Sequence, residues 1–253
     1  MKRVIVAKGK KFKNNKELLS FYNANGWVSI KNSIKKPEIK EMQNDLNNFF
    51  KKHTGRNYND AMIFLNKSNK KKLFNLYKIS SKIYSIKKTI GRLSETVKIL
   101  NNNLKYPVLQ FESTYIGFLP KDKRLTYDYH QESSYQKNFQ DLVSIHFPIF
   151  YKATVKNGTM SALNKSHKLG HLSYNKRRLS RDAFSNLIPK NINQIEKNFD
   201  EIHYELNVGD VLFFHKDLIH KSNFNNSNYC RPVGIGRCTQ SFGNFSSLGF
   251  KDF

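Results

Sequence analysis

Apolar and polar residues follow different patterns in the two parts of this chain. Up to about residue 105, apolar residues recur at the spacing of amphipathic helices. The first such stripe lies in KELLSFYNANG (16–26), and the short apolar run WVSI (27–30) follows it. Gly26 can adopt the left-handed conformation that ends many helices. We therefore predict a helix that ends at Gly26 and a strand directly after it.

Two further helical regions follow. The segment KKPEIKEMQNDLNNFFKKH (35–53) has a proline suited to a first helical turn and acidic residues that complement a helix N-terminus. A third region extends from about Lys71 to Leu100, and Gly91 predicts its division into two helices. These amphipathic stripes favour packing surfaces over ligand-binding surfaces.

From about Val108 the pattern becomes that of short strands. Four segments are rich in β-branched and aromatic residues and are bounded by turn-forming residues: FESTYIGFLP, DLVSIHFPIFY, EIHYELNVGDVLFFH and PVGIGRCTQSF. Short strands without long helices between them predict a β-sandwich or jelly roll. The exception is HKLGHLSYNKRRLSRDAF (167–184), which predicts a basic insertion that is irregular or partly helical.

Length and composition favour one folded domain. A chain of 253 residues can bury a sizeable core, and 38% hydrophobic and 13% aromatic residues exclude a disordered chain. No internal repeat and no long Pro-rich or Ser-rich linker divides the sequence. We predict a single domain over 1–253, with a mostly helical part (1–105) and a jelly-roll core (106–253) that carries the basic insertion at about 165–200.

The net charge of +25 allows two interpretations. A strongly basic chain is typical of proteins that bind polyanions such as nucleic acids. Lysine and asparagine are, however, distributed along the whole chain, as a bias in codon usage would produce. No nucleic-acid-binding motif accompanies the charge. We therefore favour the compositional interpretation, and a nucleic-acid partner is the less favoured alternative.

Cysteines and apolar segments indicate a reducing, aqueous compartment. Cys230 and Cys238 lack CxxC spacing, and reduced thiols are the default in a chain of this length. The basic start contains only VIVA as an apolar run, which is shorter than a signal-peptide core. No segment approaches the roughly 20 apolar residues of a membrane span. We expect a cytoplasmic protein without a membrane partner, and its oligomeric state stays open.

The segment DYHQESSYQ (128–136) contains the first candidate metal ligands. His130 and Glu132 are two positions apart, so that on an extended segment both side chains point to the same side. By itself this pair favours a polar loop, because the HxE pattern is common by chance. A second histidine, His220, follows the apolar run VLFF, and Arg231 lies eleven positions later. The combination is less easily explained by chance.

These residues carry a resemblance to a known family. The segments HQE (130–132), NGTMSALNKSHKLG (157–170) and GDVLFFHKDLIHKS (209–222), together with Arg231, resemble the phytanoyl-CoA dioxygenase family. The opening segment FYNANGWVSIKNSIKKPEIKEM extends the resemblance over most of the chain, more weakly between about 50 and 105. The family consists of iron(II)- and 2-oxoglutarate-dependent oxygenases. Its fold is a double-stranded β-helix, a cupin-like jelly roll, which implies N-terminal helices packed outside it.

The resemblance also implies roles for individual residues. His130, Glu132 and His220 would bind iron(II) on one face and leave three positions for 2-oxoglutarate and O2. Arg231 would bind the distal carboxylate of 2-oxoglutarate through two charge-assisted hydrogen bonds, with Ser222 as a further donor. The implied reaction couples decarboxylation of 2-oxoglutarate to succinate and CO2 with hydroxylation of a small organic substrate.

Two features depart from the family pattern. The family usually has HxD where this chain has HQE, and its common Pro-Gly-Ser-His stretch is Asn164-Lys165-Ser166-His167 here. Glutamate still supplies a carboxylate ligand, one methylene further from the main chain. Its presence argues against halogenation, for which related oxygenases replace the carboxylate. The departure leaves a second function open, that of a non-catalytic jelly roll that binds a metal or a ligand.

Other polar residues are weaker candidates. Those for the 2-oxoglutarate pocket are Gln110 and Thr114, and those for the substrate pocket are Gln131, Tyr135, Arg177 and Arg178. The basic residues between 165 and 181 form either a solvated face or a surface that attracts an anionic substrate, such as a phosphorylated, CoA-linked or carboxylated molecule. Among the other histidines, His146, His167 and His215 favour structural roles.

Overall fold

The computed structural model describes residues 3–80, 82–101, 109–123, 126–136, 141–178 and 185–239. Helices predominate in the first hundred residues and antiparallel strands after them, which makes the fold a mixed one. No helix in these described ranges is long and apolar enough to cross a membrane.

In residues 3–80 and 82–101, the N-terminal part has two short strands and five helices. Their bounds are β1 (Val4–Ala7), α1 (Asn15–Asn25), β2 (Trp27–Ile30), α2 (Lys36–Thr54), α3 (Tyr58–Ser68), α4 (Lys70–Ser80) and α5 (Tyr84–Leu100). The Asn14 side chain accepts a hydrogen bond from the Glu17 amide and caps α1. Gly26 ends the helix at φ 77°, and its amide donates to the Tyr22 carbonyl. The predicted helix end and strand are therefore confirmed.

The predicted break at Gly91 is wrong. The division lies between Ser80 and Tyr84, where the amides of Lys82 and Ile83 donate to the carbonyls of the preceding turn. Gly91 lies inside α5, whose buried stripe continues on both sides of it from Ile86 to Val97. Burial of that stripe outweighs the modest cost of a glycine in a helix interior.

Within the described residues after 101, the later part contributes nine strands and two short α-helices. They are β3 (Leu109–Phe118), α6 (Glu132–Tyr135), β4 (Val143–Pro148), β5 (Met160–Leu163), β6 (Tyr174–Arg178), β7 (Ser185–Pro189), α7 (Ile192–Lys197), β8 (Glu201–Tyr204), β9 (Val211–His215), β10 (His220–Ser222) and β11 (Arg231–Thr239). The basic insertion was expected to be irregular or partly helical. It contains a short 3-10 helix (Ser166–Leu169), and it also contributes to the antiparallel hairpin β6–β7, because each segment supplies the other's main-chain hydrogen bonds.

Two sheets face each other. One has the order β1-β8-β5-β10 and the other the order β2-β9-β4-β11-β3. Side chains from both sheets share one apolar cluster, which includes Ala7, Trp27, Met160, Ala162, Tyr204, Leu212 and Phe214. The opposite face of the five-stranded sheet shares a second cluster with residues of α1 to α5. The five-stranded sheet is therefore buried on both faces.

Strand β11 lies between β4 and β3, and its alternate residues face opposite sides of the sheet. Gly234 faces Phe147 so closely that a Cβ atom there would overlap the aromatic ring. On the other face lie Val233 and Ile235, with Arg231 and Arg237 at either end of the same row. This row points toward the interior between the sheets, where the candidate site lies.

Candidate metal centre

Main-chain pairing brings the predicted metal ligands together. The His130 amide donates to the His220 carbonyl at 2.9 Å, and the His220 amide returns the bond at 3.0 Å. The chain stays extended through Gln131, and the short helix α6 begins at Glu132. One potential ligand atom from each of His130, Glu132 and His220 lies within 4.8 Å of the others, and all three residues are buried. The two histidines and the carboxylate thus converge on one point.

The hydrogen bonds of the two imidazoles define their tautomers. Nδ1 of His130 lies 2.8 Å from the Asp128 carbonyl oxygen, and Nδ1 of His220 lies 2.8 Å from the Leu218 carbonyl oxygen. A carbonyl oxygen only accepts, so Nδ1 carries the proton in both rings. Nε2 of each ring therefore keeps its lone pair, as a metal ligand requires.

Burial keeps His130 neutral. Burial, with His220 nearby, lowers the pKa of His130 to about 3. For Glu132, burial alone would raise the pKa, but the Arg237 guanidinium, with His220 nearby, outweighs burial and holds this pKa well below its usual value. The centre thus combines a neutral imidazole with an ionised carboxylate.

Arg237 is the nearest cation to this carboxylate among the ion pairs of the described residues. Its Nε donates to Glu132 Oε2 at 2.7 Å, and its Nη2 donates to Oε1 at 3.2 Å. His220 Nε2 lies 3.6 Å from Oε1. The sequence reasoning missed Arg237. The alternation of side chains along a strand that starts at Arg231 could have indicated Arg237. The two residues are six positions apart, an even number, so their side chains face the same side of the sheet.

Side chains outside the centre hold its main chain in place. The Gln131 amide nitrogen donates to the carbonyls of Gly170 and Asp217, and its oxygen accepts from the Leu172 amide. This geometry favours a structural role for Gln131 over contact with a substrate. Ser166, in the stretch that departs from the family pattern, accepts from the Ile219 amide beside His220.

Arg231 is almost completely buried at one end of the β11 row. Its Nε donates to the Asn157 carbonyl at 2.8 Å, and its Nη2 donates to the Gly158 carbonyl. Burial lowers the pKa of Arg231 to about 10, so the guanidinium remains charged at neutral pH. Ser222, on β10, lies two positions after His220 and therefore shares its face of the strand.

His146 lies in the middle of this polar row. It pairs with Ile235 in the sheet, and burial, followed by the charges of Arg231 and His220, holds the pKa of His146 well below its usual value. The neighbouring residues Val143, Ile145 and Phe147 join the helical cluster, so His146 faces the interior between the sheets. It is a neutral, buried imidazole close to the centre.

The candidate substrate residues lie in different places. The Tyr135 ring is 5.6 Å from the His130 ring, and its hydroxyl accepts from the Leu187 amide of β7. Arg177 is exposed on β6 and lines an open depression of about 490 Å³ with residues of β7 and α7. The side chains of Gln110, Thr114 and Arg178 lie outside the described part of the chain.

Comparison with known proteins agrees with this centre. The sequence model of the phytanoyl-CoA dioxygenase (PhyH) family matches residues 22–233. The chain belongs to the phytanoyl-CoA dioxygenase family. The match includes the buried triad and Arg231, and it confirms the family resemblance found in the sequence. No curated protein matches the sequence closely enough to identify a nearer relative.

Several solved structures have the same fold as this chain. The carbocyclase SnoK from nogalamycin biosynthesis is 15% identical, with a TM-score of 0.58 over 90% of this chain and 84% of its own. The epimerase SnoN in complex with Fe3+, alpha ketoglutarate and nogalamycin RO is 12% identical, with a TM-score of 0.60 over 94% and 91%. EctD from S. alaskensis with 2-oxoglutarate and 5-hydroxyectoine is 12% identical, with a TM-score of 0.59 over 94% and 83%.

Proposed function

We propose that the protein is an iron(II)- and 2-oxoglutarate-dependent dioxygenase that hydroxylates a small organic substrate. The observation that carries this proposal is the buried triad of His130, Glu132 and His220, whose ligand atoms lie within 4.8 Å of one another. Two imidazoles and one carboxylate match the donor set that non-haem iron(II) oxygenases use, with open positions left for cosubstrate and oxygen. The reaction would release succinate and CO2.

The proposal includes the finer architecture. Residues 1–253 would form one domain, and the two facing sheets would form the double-stranded β-helix of the family. The helices that share an apolar cluster with the five-stranded sheet would then lie outside the jelly roll. We also propose a cytoplasmic location, since an iron(II) centre and two buried free cysteines suit a reducing compartment.

The metal ligands and the surrounding apolar residues would have separate roles in the reaction. When bound, iron(II) supplies the activation of O2 for oxidation of a C–H bond. His130 and His220 present Nε2, because their Nδ1 protons are engaged by carbonyls. Glu132 provides the anionic ligand. The apolar side chains between the sheets exclude water from the centre, which limits side reactions.

Arg231 would bind the distal carboxylate of 2-oxoglutarate. The carbonyls of Asn157 and Gly158 fix the plane of its guanidinium, so that the side chain is oriented before the anion arrives. Ser222 and the neutral His146 face the same interior and would offer further hydrogen bonds. Thr114 lies on β3 opposite Ile235 of the β11 row, and Gln110 lies opposite Cys238, the neighbour of Arg237.

The substrate is proposed to be small and anionic. The β6–β7 hairpin lies beside the metal-binding segment, because the Asp128 amide donates to Asn186 and the Leu187 amide donates to Tyr135. Lys176 and Arg177 are exposed on this hairpin. Tyr135 would contact the substrate, and the basic residues, including Arg178, would attract its negative charge over longer distances.

Anaerobic titration tests the proposed function. Addition of iron(II) and then 2-oxoglutarate should produce the weak visible charge-transfer band of a chelated complex. In air, succinate should form when acyl-CoA esters, phosphonates, amino-acid derivatives and natural products are screened. Glu132→Ala and Arg231→Ala should abolish or strongly reduce succinate formation.

The controls separate catalysis from mere binding. Glu205→Ala removes a carboxylate that pairs with Lys152 at the surface, and it should leave succinate formation unchanged. A band without succinate from any substrate class would identify a non-catalytic binding protein. Absence of the band in the unmodified protein would contradict the proposed function.

A further inference from the structure

The contact between Glu132 and Arg237 has a geometry that bears on how the carboxylate binds a metal. The guanidinium approaches with two roughly parallel N–H groups, Nε at 2.7 Å from Oε2 and Nη2 at 3.2 Å from Oε1. Such a fork occupies the edge between the two carboxylate oxygens. A metal ion that is bound by both oxygens of one carboxylate approaches along that same edge. The two modes of binding therefore exclude each other.

The mutual exclusion of these two binding modes is important because the carboxylate belongs to a glutamate. Its side chain is one methylene longer than that of the aspartate usual in the family, so its carboxylate has more freedom to rotate toward a metal. Oε1 lies within 3.6 Å of His220 Nε2, whereas Oε2 has the shorter bond to Arg237. The side chains of Glu132 and Arg237 are 6% and 18% exposed, so solvent weakens the pair little.

We propose that Arg237 is a positioning residue that restricts Glu132 to binding the metal through one oxygen, Oε1. This inference rests on the proposed function, because it concerns the same iron centre. Two histidines and one carboxylate oxygen leave three positions of an octahedral ion open. A second carboxylate oxygen would take one of them and compete with the two-point binding of 2-oxoglutarate. Arg237 thereby preserves the position that the cosubstrate needs.

The fold holds Arg237 in place for this task. It lies on β11, which is paired on both sides, with Ser144 of β4 and Phe111 of β3 as its register partners. Glu132 lies at the start of α6, on a different segment whose position is fixed by the His130–His220 pairing. Two independently anchored elements thus meet at this ion pair.

The test compares Arg237→Met and Arg237→Lys with the unmodified protein, without substrate and without O2. The Co(II) protein reports the ligand set through its visible absorption, and the iron(II) protein reports 2-oxoglutarate affinity through the charge-transfer band. We expect both variants to bind Co(II) with altered absorption. We expect their affinity for 2-oxoglutarate to fall by about 10- to 100-fold, which is the range by which loss of a residue that orients a metal ligand usually lowers metal affinity or activity.

The lysine variant separates orientation from charge. Lysine keeps the positive charge but lacks the planar fork, so it should resemble the methionine variant. Recovery of 2-oxoglutarate affinity by Arg237→Lys would show that charge alone matters and would overturn the proposal. Unchanged Co(II) absorption and 2-oxoglutarate affinity in both variants would also overturn it, and would leave Arg237 as a substrate-binding residue.

The substitution of Arg237 is also made in a Glu132→Asp protein, as a control for variants that fold poorly. In Glu132→Asp the shorter side chain withdraws the carboxylate from Arg237, so adding Arg237→Met should change 2-oxoglutarate affinity much less than it does beside Glu132. An equal effect in both backgrounds would contradict the proposal. If the unmodified protein bound neither Co(II) nor iron(II), the proposed function itself would fail, which is a different result.

Discussion

Two arginines six positions apart on one strand have different surroundings. Arg231 donates to the main-chain carbonyls of Asn157 and Gly158, whereas Arg237 donates to the carboxylate of Glu132. The Asn157 and Gly158 carbonyls orient the guanidinium of Arg231, and the guanidinium of Arg237 pairs with an anion of the protein. This difference suits Arg231 to an incoming carboxylate and Arg237 to the protein's own.

Arg231→Lys is expected to weaken 2-oxoglutarate binding without loss of the metal. Lysine retains the charge but cannot form two parallel hydrogen bonds, and a bond to a charged group contributes about 1.5–3 kcal/mol. The KM for 2-oxoglutarate should therefore rise by roughly 10- to 100-fold. Initial rates of succinate formation measure this change, and Co(II) titration measures metal affinity.

The matched control is Arg92→Lys, in α5, where the guanidinium forms two hydrogen bonds with Glu38. It makes the same chemical change away from the triad, and it should leave the KM for 2-oxoglutarate unchanged. Equal effects of the two substitutions would contradict the assignment of Arg231.

At the residue scale, the sequence was informative where chemistry requires a particular residue type. His130, Glu132 and His220 could be proposed because metal ligands are restricted to few side chains, and the structure brings all three together. Arg237 could not be distinguished from the many other basic residues, since its role depends on a partner far away in the sequence. His146 looked like an ordinary core residue, because sequence does not reveal which face of a strand borders a pocket.

At the element scale, β11 shows how backbone packing supports the site. Its row of Arg231, Val233, Ile235 and Arg237 faces the interior, while Gly234 on the other face lies against Phe147. A side chain at Gly234 would push β11 away from β4. Because Arg231 and Arg237 are on the same strand, such a displacement would reach both of them.

Gly234→Ala is expected to destabilise the protein by about 1–3 kcal/mol, the usual cost of overpacking a core. Chemical denaturation measures the change in the free energy of unfolding. Phe147→Leu removes the ring that the new methyl group would meet. The double variant should therefore lose less stability than the sum of the two single variants, and simple additivity would contradict this explanation.

Sequence patterns predicted the elements with strong local signals. The end of α1 at Gly26 and the strand that follows were predicted, because a capping glycine and an apolar run act locally. The break before α5 and the β6–β7 hairpin were missed. In both places the outcome depends on tertiary contacts, namely the buried stripe through Gly91 and the packing of Asn186 beside Asp128. Such contacts leave little trace in a short window of sequence.

At the scale of the whole molecule, the net charge of +25 opposes compaction. The described ion pairs offset the charge only locally. Helix α4 is an example, since it begins with Lys70, Lys71 and Lys72 and has no acidic residue in its first turn. Positive charge at a helix N-terminus is unfavourable because it opposes the helix dipole.

Stability should therefore increase with ionic strength. Raising NaCl from about 50 to 300 mM shortens the screening length and weakens the repulsion, so Tm should rise. Each kcal/mol gained corresponds to about 2–4 °C in a protein of this size. Replacing the three lysines at the start of α4 with glutamine should raise Tm at low salt and reduce its salt dependence. A Tm that fell with added salt would contradict this account.

The reciprocal main-chain hydrogen bonds between His130 and His220 form when the protein folds, before a metal ion binds. These two residues are distant in sequence, and bringing them together costs conformational entropy. Formation of the sheets compensates for this entropy cost when the chain folds. Metal binding therefore has to compensate for little of it. The centre is thus preorganised: chelation should remove the ion and leave the fold standing, unlike a small zinc domain that unfolds when its metal is withdrawn.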